Sequence, residues 1–320
     1  MRPWPIPLLL ACAIAGCFQP SLTRAQSLTP SEDAPAGGVT DSARAPSPDS
    51  DTSRAQANPS NPPAAPEKKG FFHRWEEMAK RTEADEPNWL SPIATTSGRL
   101  KDEIRYDVWR PIAPSAQPYY SLGGSKGVEF IVAPRLQLLV GVPTVVDYPN
   151  NPSRDGVGDM PFMVKFRVAS APRKRGEYLC TLLLKATTPT GSAAAGQHHP
   201  VLTPGLALGK GWNNFDVQST VGGYLPTSGT VLLGRQLQWD TAFQYRAKHK
   251  LWPELEVNSV HFMEGKYDGE TQAFLTPGLG FGRVRLGGPF SFSAGVGFQI
   301  AVTQFRTYNH QLMLSFRVPF

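Results

Sequence analysis

The end of the chain, PFSFSAGVGFQIAVTQFRTYNHQLMLSFRVPF at residues 289–320, decides the fold because its hydrophobicity alternates at every second position. The last run places on one face Leu312, Leu314, Phe316, Val318 and Phe320, and on the other Gln311, Met313, Ser315, Arg317 and Pro319. Residues 290–303 repeat the pattern, with large apolar residues opposite mostly small or polar ones. Successive side chains of a strand point to opposite faces, so both runs predict β-strands with one apolar face.

The same period of two extends back to about residue 103. The runs fall near residues 103–109, 127–133, 135–146, 158–169, 175–188, 200–210, 213–225, 233–246, 250–262, 271–286, 289–303 and 309–320. Several reach 11 to 15 residues. Strands of soluble proteins average about five or six residues, whereas a tilted membrane strand needs roughly 9 to 11. The strand lengths therefore favour a membrane barrel over a soluble sandwich, although Glu103 to Trp109 alternates poorly.

The connections between these runs alternate between short and long. Short ones include Pro134, residues 211–212 and residues 287–288, and long ones include residues 148–157 and 189–199. Outer-membrane barrels have short periplasmic turns and longer external loops. The sequence therefore predicts an all-β fold, a transmembrane antiparallel up-and-down β-barrel of about twelve strands over residues 100–320, with both termini in the periplasm.

The composition excludes several other classes of protein. No stretch approaches the roughly 20 apolar residues of a membrane helix, and the mean hydropathy is -0.28. The net charge is +6, but the basic residues are scattered among acidic ones. The densest basic cluster, Arg173 to Arg175, is interpreted as a turn between strands. No nucleic-acid partner is predicted. Cys180 is the only cysteine beyond residue 17, so after cleavage near Ala25 we expect no intramolecular disulfide and no cysteine metal site. No other metal site and no cofactor are predicted.

Three segments precede the barrel. Residues 1–25 have the basic start, short apolar core and small-residue cleavage site of a signal peptide, which predicts export to the cell outer membrane. Cys17 lies in a lipobox-like stretch, so lipidation there is the alternative to cleavage near Ala25. Residues 26–69 are rich in Pro, Ala and Ser and predict a disordered spacer. Residues 70–83 have the spacing of an amphipathic helix, interpreted as docked on the periplasmic rim, with a plug or partner-binding role as the alternative.

Four stretches resemble the MetA-pathway phenol-degradation family of outer-membrane β-barrel proteins. They are GVGD at residues 156–159 followed by Lys165, TTPTG at 187–191 after Lys185, LTPG at 202–205, and YLPTSG at 224–229. The likeness covers roughly residues 118 to 320, and Ser228 interrupts the second Pro-Thr-Gly pattern. The resemblance implies an outer-membrane channel or transporter for small solutes, with hydrophobic or aromatic compounds as the class that the family name indicates.

The strand parity opposite to the apolar face predicts which side chains point into the lumen. These candidates are Glu129, Lys165, Arg167, Lys185, Asp216, Gln236, Gln238, Asp240, Gln244, Arg246, Glu254, Glu256, Asn258 and Arg317. A charge facing lipid near mid-membrane costs about 2–4 kcal/mol, which favours the inward placement. Such residues either pair across strands to fill a narrow lumen or select solutes by size and charge.

The last strand also predicts an assembly partner. Alternate apolar residues with a final aromatic resemble the signal that the barrel-assembly machinery reads, so Phe316, Val318 and Phe320 are its candidates. The other expected partners are outer-membrane lipid and a small-molecule solute.

Enzymatic motifs are weak in this sequence, and no catalytic residue is predicted. Residues 123–127 match G-x-S-x-G without the strand–elbow–helix context that this motif requires. Residues 278–282 form a G-x-G-x-G run with no helix after it, so it is no dinucleotide site. His198 and His199 are adjacent on an extended chain, where side chains point apart, and are interpreted as a solvated loop. A lipase-like enzyme would need a Ser–His pair near the outer rim, and an anchoring barrel would use the spacer to hold a periplasmic partner; both remain alternatives.

Overall fold

The computed structural model describes residues 70–115, 118–124, 126–248 and 250–320. The signal peptide and spacer predicted for residues 1–25 and 26–69 lie outside the described residues, as does Ser125 of the G-x-S-x-G match.

Fifteen strand segments form one antiparallel sheet that closes on itself. They are β1 (Glu103–Ile112), β2 (Tyr120–Gly123), β3 (Gly127–Ala133), β4 (Leu136–Gly141), β5 (Val145–Asp147), β6 (Gly156–Val157), β7 (Met160–Ala171), β8 (Tyr178–Thr188), β9 (Val201–Trp212), β10 (Phe215–Pro226), β11 (Gln236–Tyr245), β12 (Leu251–Phe262), β13 (Thr271–Gly287), β14 (Phe290–Ala301) and β15 (His310–Pro319). Each strand from β7 onward pairs with its neighbour in sequence, and β15 pairs with β1.

These segments make twelve barrel strands, which confirms the predicted fold class. β2 and β3 both pair with β1, and they continue as one interrupted strand because Gly123 and Gly124 adopt positive φ between them. β4 with β5, and β6 with β7, are likewise single barrel strands that run against the strand before them. The irregular first strand is fully formed: β1 pairs with β15 over ten residues, from Glu103 opposite Pro319 to Ile112 opposite His310.

The burial pattern is inverted relative to that of a soluble protein. Outward side chains are large and apolar, and Phe166 and Leu182 are 44% and 50% exposed. Inward side chains are polar, and Gln137, Gln244 and Glu256 are buried completely. A bilayer requires this arrangement, because lipid solvates the apolar belt while strand pairing satisfies the backbone.

The barrel has two dissimilar ends. At one end, named the turn end, strands are joined by short connections, including residues 134–135, 213–214 and 288–289. Arg173–Arg175 forms a 3₁₀ turn there between β7 and β8, as the sequence predicted. At the other end, named the loop end, the connections are longer and include residues 189–200 and 227–235. The start of β1 and the end of β15 both lie at the turn end.

The loop end carries little further regular structure. The connection between β10 and β11 contains the short helix α2 (Thr230–Leu233), and 3₁₀ turns occur at Pro152–Arg154 and Gly265–Tyr267. 

Helix α1 (Phe71–Ala84) lies at the turn end. The indole Nε1 of Trp75 donates to the carbonyl of Ile131, 2.7 Å away, beside the connection between β3 and β4. Met78 and Ala79 pack with Ile131 and with Leu100, which follows the helix. None of the helices in the described part of the chain is long and apolar enough to cross a membrane.

Candidate functional site

Residues 85–102, named the inner loop, leave α1 and enter the barrel before β1 begins. They contain no strand and no helix beyond the turn that ends α1. Yet Trp89, Ile93, Thr95 and Leu100 are each at most 2% exposed. A segment this deeply buried must satisfy its backbone groups with other partners. Those partners are the inward side chains of the barrel.

The contacts of the inner loop trace its path. On the way in, the indole Nε1 of Trp89 donates to the carboxylate of Glu177 at the turn end, 3.0 Å away. The deepest part, around Ile93 to Thr96, reaches the middle of the strands, where Thr220 Oγ1 donates to the carbonyl of Thr96 at 2.7 Å. On the way out, Thr181 donates to the carbonyl of Gly98 at 2.8 Å. The inner loop therefore fills the turn-end half of the lumen.

Two glutamates of β12 hold the deepest part of the inner loop. The backbone N–H of Ile93 and that of Ala94 each lie 2.8 Å from Glu256 Oε1, and the N–H of Thr95 lies 2.6 Å from Glu256 Oε2. Glu254 Oε1 accepts a further bond from Ile93 N–H at 3.2 Å. Because Glu256 is completely buried, these charge-assisted bonds replace the water that an ionised carboxylate needs.

Two arginines bind the carbonyl groups of the same turn. Arg105 on β1 donates to the carbonyl of Ile93 at 2.6 Å and to that of Pro92 at 3.2 Å, and Arg317 on β15 donates to the carbonyl of Pro92 at 2.9 Å. Arg105 is also paired with Asp107 at 2.9 Å. Sequence reasoning missed Arg105 and Asp107 because β1 alternates poorly. A signal in the sequence could have identified them. Arg105 and Asp107 lie on the same face of the strand as Glu103, and the alternate residues Ile104 and Tyr106 face outward.

Inward-facing glycines make room for the large side chains of the inner loop. A Cβ added to Gly209 on β9 would lie 2.5 Å from the ring of Trp89. A Cβ on Gly278 or Gly295 would lie 2.8 or 2.9 Å from the side chain of Ile93. These distances are shorter than van der Waals contact, so only glycine fits without displacing the loop. The G-x-G-x-G run at residues 278–282 is thus a seat for the inner loop.

Ion pairs tie the base of the inner loop to the turn end. Lys165 on β7 pairs with Glu129 on β3 at 2.8 Å and also contacts the carbonyl of Arg99 at 3.4 Å. Arg167 pairs with Glu86 of the inner loop at 3.1 Å. Lys101 is bound to Glu103. Each of these lysines, and Arg167, therefore has a carboxylate partner.

A cavity of about 390 Å³ lies beyond the inner loop, in the loop-end half of the lumen. Thr96 of the inner loop forms its floor, and Lys126, Lys185, Gln238 and Asp240 line its wall. The loop between β8 and β9 contributes residues at the top. The lumen is therefore divided into a filled half and a half with space for a small molecule.

A second cavity of about 390 Å³ adjoins the first, and Val146 and Ala195 line both. Its wall is aromatic and includes Trp109, Tyr119, Tyr148 and Tyr308. The rings of Tyr119 and Tyr148 stack with centroids 4.8 Å apart. The indole Nε1 of Trp109 is buried with no hydrogen-bond partner among the described residues.

The predicted lumen residues are divided among several places. Those that contact α1 or the inner loop are Lys165, Arg167, Glu254, Glu256 and Arg317. Those that line the first cavity are Lys185, Gln238 and Asp240. Those bonded to other barrel side chains are Glu129, Asp216, Gln244 and Asn258. Arg246 stacks on the Trp252 ring at the turn end, and Gln236 bonds the Leu233 carbonyl at the loop end. Their common role in solute selection stays a prediction.

The loop end contains a Ser–His pair that the sequence did not identify. His199 Nδ1 lies 2.9 Å from Ser228 Oγ, across the loops that follow β8 and β10. A serine nucleophile also needs a third group that orients the histidine. Within residues 70–320, apart from the four undescribed positions, no carboxylate or amide bonds the other ring nitrogen. Among the described residues, the pair therefore supplies two of the three groups of a hydrolase site.

The apolar exterior and the polar, half-filled interior together define a transmembrane β-barrel. No family model matches the chain, and no curated protein matches it. The fold is similar to that of solved outer-membrane barrels. An outer-membrane channel from Pseudomonas putida F1 is 11% identical, with 72% of this chain and 100% of that chain covered and a TM-score of 0.49.

Two further solved structures are similar at a comparable level. The NanC porin is 8% identical, with 68% of this chain and 98% of that chain covered and a TM-score of 0.45. Outer membrane phospholipase A from Escherichia coli is 9% identical, with 71% of this chain and 94% of that chain covered and a TM-score of 0.33. Likeness at this level does not decide function, because channels and an enzyme both occur among the three.

Proposed function

We propose that this chain is an outer-membrane transporter of small solutes that is closed at rest by its inner loop. The observation that carries the proposal is the division of the lumen: the inner loop occupies the turn-end half, and a cavity of about 390 Å³ with polar and apolar walls lies in the loop-end half. A purely structural barrel gains nothing from a solute-sized cavity beside a removable segment. A transporter needs both, because solute must enter from one side and an obstacle must then shift.

The proposal includes an orientation and a role for the segments before the barrel. The loop end faces the outside and the turn end faces the periplasm, in keeping with the connection lengths of such barrels. Residues 1–25 direct export, and residues 26–69 form a spacer in the periplasm. The helix region predicted at residues 70–83 then connects the spacer to the inner loop. A pull on the spacer would reach the inner loop through α1.

For the transported compounds we propose small solutes that include aromatic molecules. The second cavity supports this class, because its aromatic wall offers stacking surfaces such as the paired rings of Tyr119 and Tyr148. Arg154 lies 4.2 Å above the Tyr148 ring and adds a cation at the same place. The family resemblance points to the same class of solute.

Flux of small solutes into liposomes that contain the purified protein tests the transport proposal. Gly209→Val should raise the flux several-fold over wild type, because the added carbons collide with the Trp89 ring and loosen the inner loop. Gly223→Val is the matched control: Gly223 lies on the next strand, faces outward opposite Leu237, and has no contact closer than 3.6 Å. Equal and negligible flux through all three folded proteins would contradict transport and favour an anchoring barrel.

A further inference from the structure

Two lysines of the first cavity differ from the other lysines inside the barrel. Lys101 and Lys165 each have a carboxylate partner. Lys126 and Lys185 line the cavity, and within the described part of the chain neither side chain forms a hydrogen bond or an ion pair. The two ammonium groups also repel each other. Both lysines are only partly buried and line one cavity, where a bound anion would neutralise two like charges.

The carboxylates near these lysines are already bound to other groups. Asp159 accepts the backbone N–H of Gly191 at 2.7 Å and that of Gln197 at 2.9 Å. Asp240 accepts a hydrogen bond from the side chain of Asn258 at 3.2 Å. Asp107, whose charge acts on Lys126, is paired with Arg105. Among the described residues, none of these acids forms an ion pair with Lys126 or Lys185, although Asp159 and Asp240 line the same cavity.

One neutral acceptor atom in the same cavity also lacks a partner, although the Gln197 side chain is hydrogen-bonded to Tyr224. Gln197 Oε1 is buried with no hydrogen-bond partner among the described residues, and Gln197 lines the cavity. An amide oxygen accepts hydrogen bonds, so its complement is a hydroxyl or another donor. The volume of about 390 Å³ falls in the range of roughly 300–1,000 Å³ that small-molecule sites occupy.

We propose that this cavity binds a small hydroxylated carboxylate, with its carboxylate on Lys126 and Lys185 and a hydroxyl on Gln197. The inference rests on the proposed transport function, because it names the solute class that enters first. Binding itself does not require the inner loop to move, since the cavity lies on the loop-end side of Thr96. The site and the transport step can therefore be tested separately.

Isothermal titration of the refolded full chain tests the site directly. The probes are 4-hydroxybenzoate and gluconate, with 4-hydroxybenzamide and glucitol as their uncharged counterparts. At least one carboxylate should bind at least tenfold more tightly than its counterpart. Lys126→Met and Lys185→Met should each weaken that binding at least tenfold, whereas Lys174→Met, in an exposed turn, should leave it unchanged. Equal binding of charged and uncharged probes, or unchanged binding in both cavity variants, would overturn the proposal.

Thermal unfolding of the same variants separates a ligand site from a structural role. Removal of an unpaired, mutually repelling cation should leave the unliganded protein as stable as wild type or more stable. A lysine that holds the barrel together would instead lower the unfolding temperature on replacement, and that outcome would also overturn the proposal. Carboxylate binding without flux in Gly209→Val would contradict the transport function and leave the site standing. Flux in Gly209→Val without charge-dependent binding would contradict the carboxylate site and leave the transport function standing.

Discussion

At the scale of single residues, Glu256 shows how the inner loop is held inside the lumen. One completely buried carboxylate accepts hydrogen bonds from three consecutive N–H groups of the inner loop. Three consecutive amide donors aimed at one acidic group form a compact anion-binding turn, similar to those found at helix N-termini. Here the anion belongs to the barrel, and the bound turn belongs to the inner loop.

Glu256→Gln should therefore loosen the inner loop without unfolding the barrel. The amide keeps one acceptor oxygen but loses the charge and presents donors to N–H groups, at a cost of about 1–3 kcal/mol. Hydrogen exchange of the amides of residues 93–95 should become faster, while exchange in the strands stays unchanged. Glu264→Gln is the control, because Glu264 forms an exposed pair with Arg235 at the loop end. Unchanged exchange at residues 93–95 would show that Glu256 does not hold the loop.

Strand parity assigns Glu254 and Glu256 to one face of β12 but says nothing about what they contact. Their partner Ile93 is 163 residues away from Glu256 in the sequence. Arg317 and its partner Pro92 are separated by 225 residues. Contacts of this range depend on the closed sheet, which brings β12, β15 and the inner loop together. They were therefore beyond prediction from the sequence alone.

At the scale of elements, the strands follow from the sequence and the inner loop does not. Twelve runs with a period of two predicted twelve barrel strands because alternation is a local property that lipid on one side enforces. Residues 85–102 have no period, since each side chain meets a different wall of the lumen. The alternate glycines of β13 and β14 were visible in the sequence. Their role became clear only from the structure, in which the side chain of Ile93 packs against Gly278 and Gly295.

The last strand carries the assembly prediction. Phe316 faces outward and Phe320 lies near Phe290, with ring centroids 6.5 Å apart. Phe320→Ala should reduce the amount of heat-modifiable barrel in cell membranes several-fold, because the assembly machinery would read the strand poorly. Refolding of the purified variant into detergent should stay normal. Phe290→Ala, which removes a neighbouring outward aromatic ring, is the control. If both variants lost the same amount of heat-modifiable barrel, the effect would come from lost ring packing and not from the assembly signal.

At the scale of the whole molecule, the barrel acts as a rigid frame around a segment made from its own chain. The closed sheet joins β1 to β15 and leaves no edge. Among the described residues, the inner loop is held to the barrel by side-chain contacts, ion pairs, glycine seats and one backbone bond, from the N–H of Phe320 to the carbonyl of Asp102 at 3.1 Å. Side-chain contacts of this kind can be released without breaking a strand ladder. The strand ladders hold the wall together independently of most contacts that hold the inner loop, as the proposed transport requires.

A reversible disulfide between the inner loop and the wall tests the central claim most directly. A Cβ on Gly98 would lie 2.8 Å from the Cβ of Ala207 on β9. Disulfides need roughly 3.5–4.5 Å between these atoms, so a small shift of the loop permits the bond. Gly98→Cys with Ala207→Cys, in a chain where Cys12, Cys17 and Cys180 are replaced by Ala, should form it, and Gly98→Cys alone in the same chain is the control.

The measurement is the current through this variant in a planar bilayer, before and after a reductant is added. We predict no openings while the disulfide pins the inner loop to β9, and openings in the same membrane once it is reduced. The single-cysteine control should not respond to the reductant. Equal current in the oxidised and reduced states would contradict the account, because the inner loop would then not be the closure.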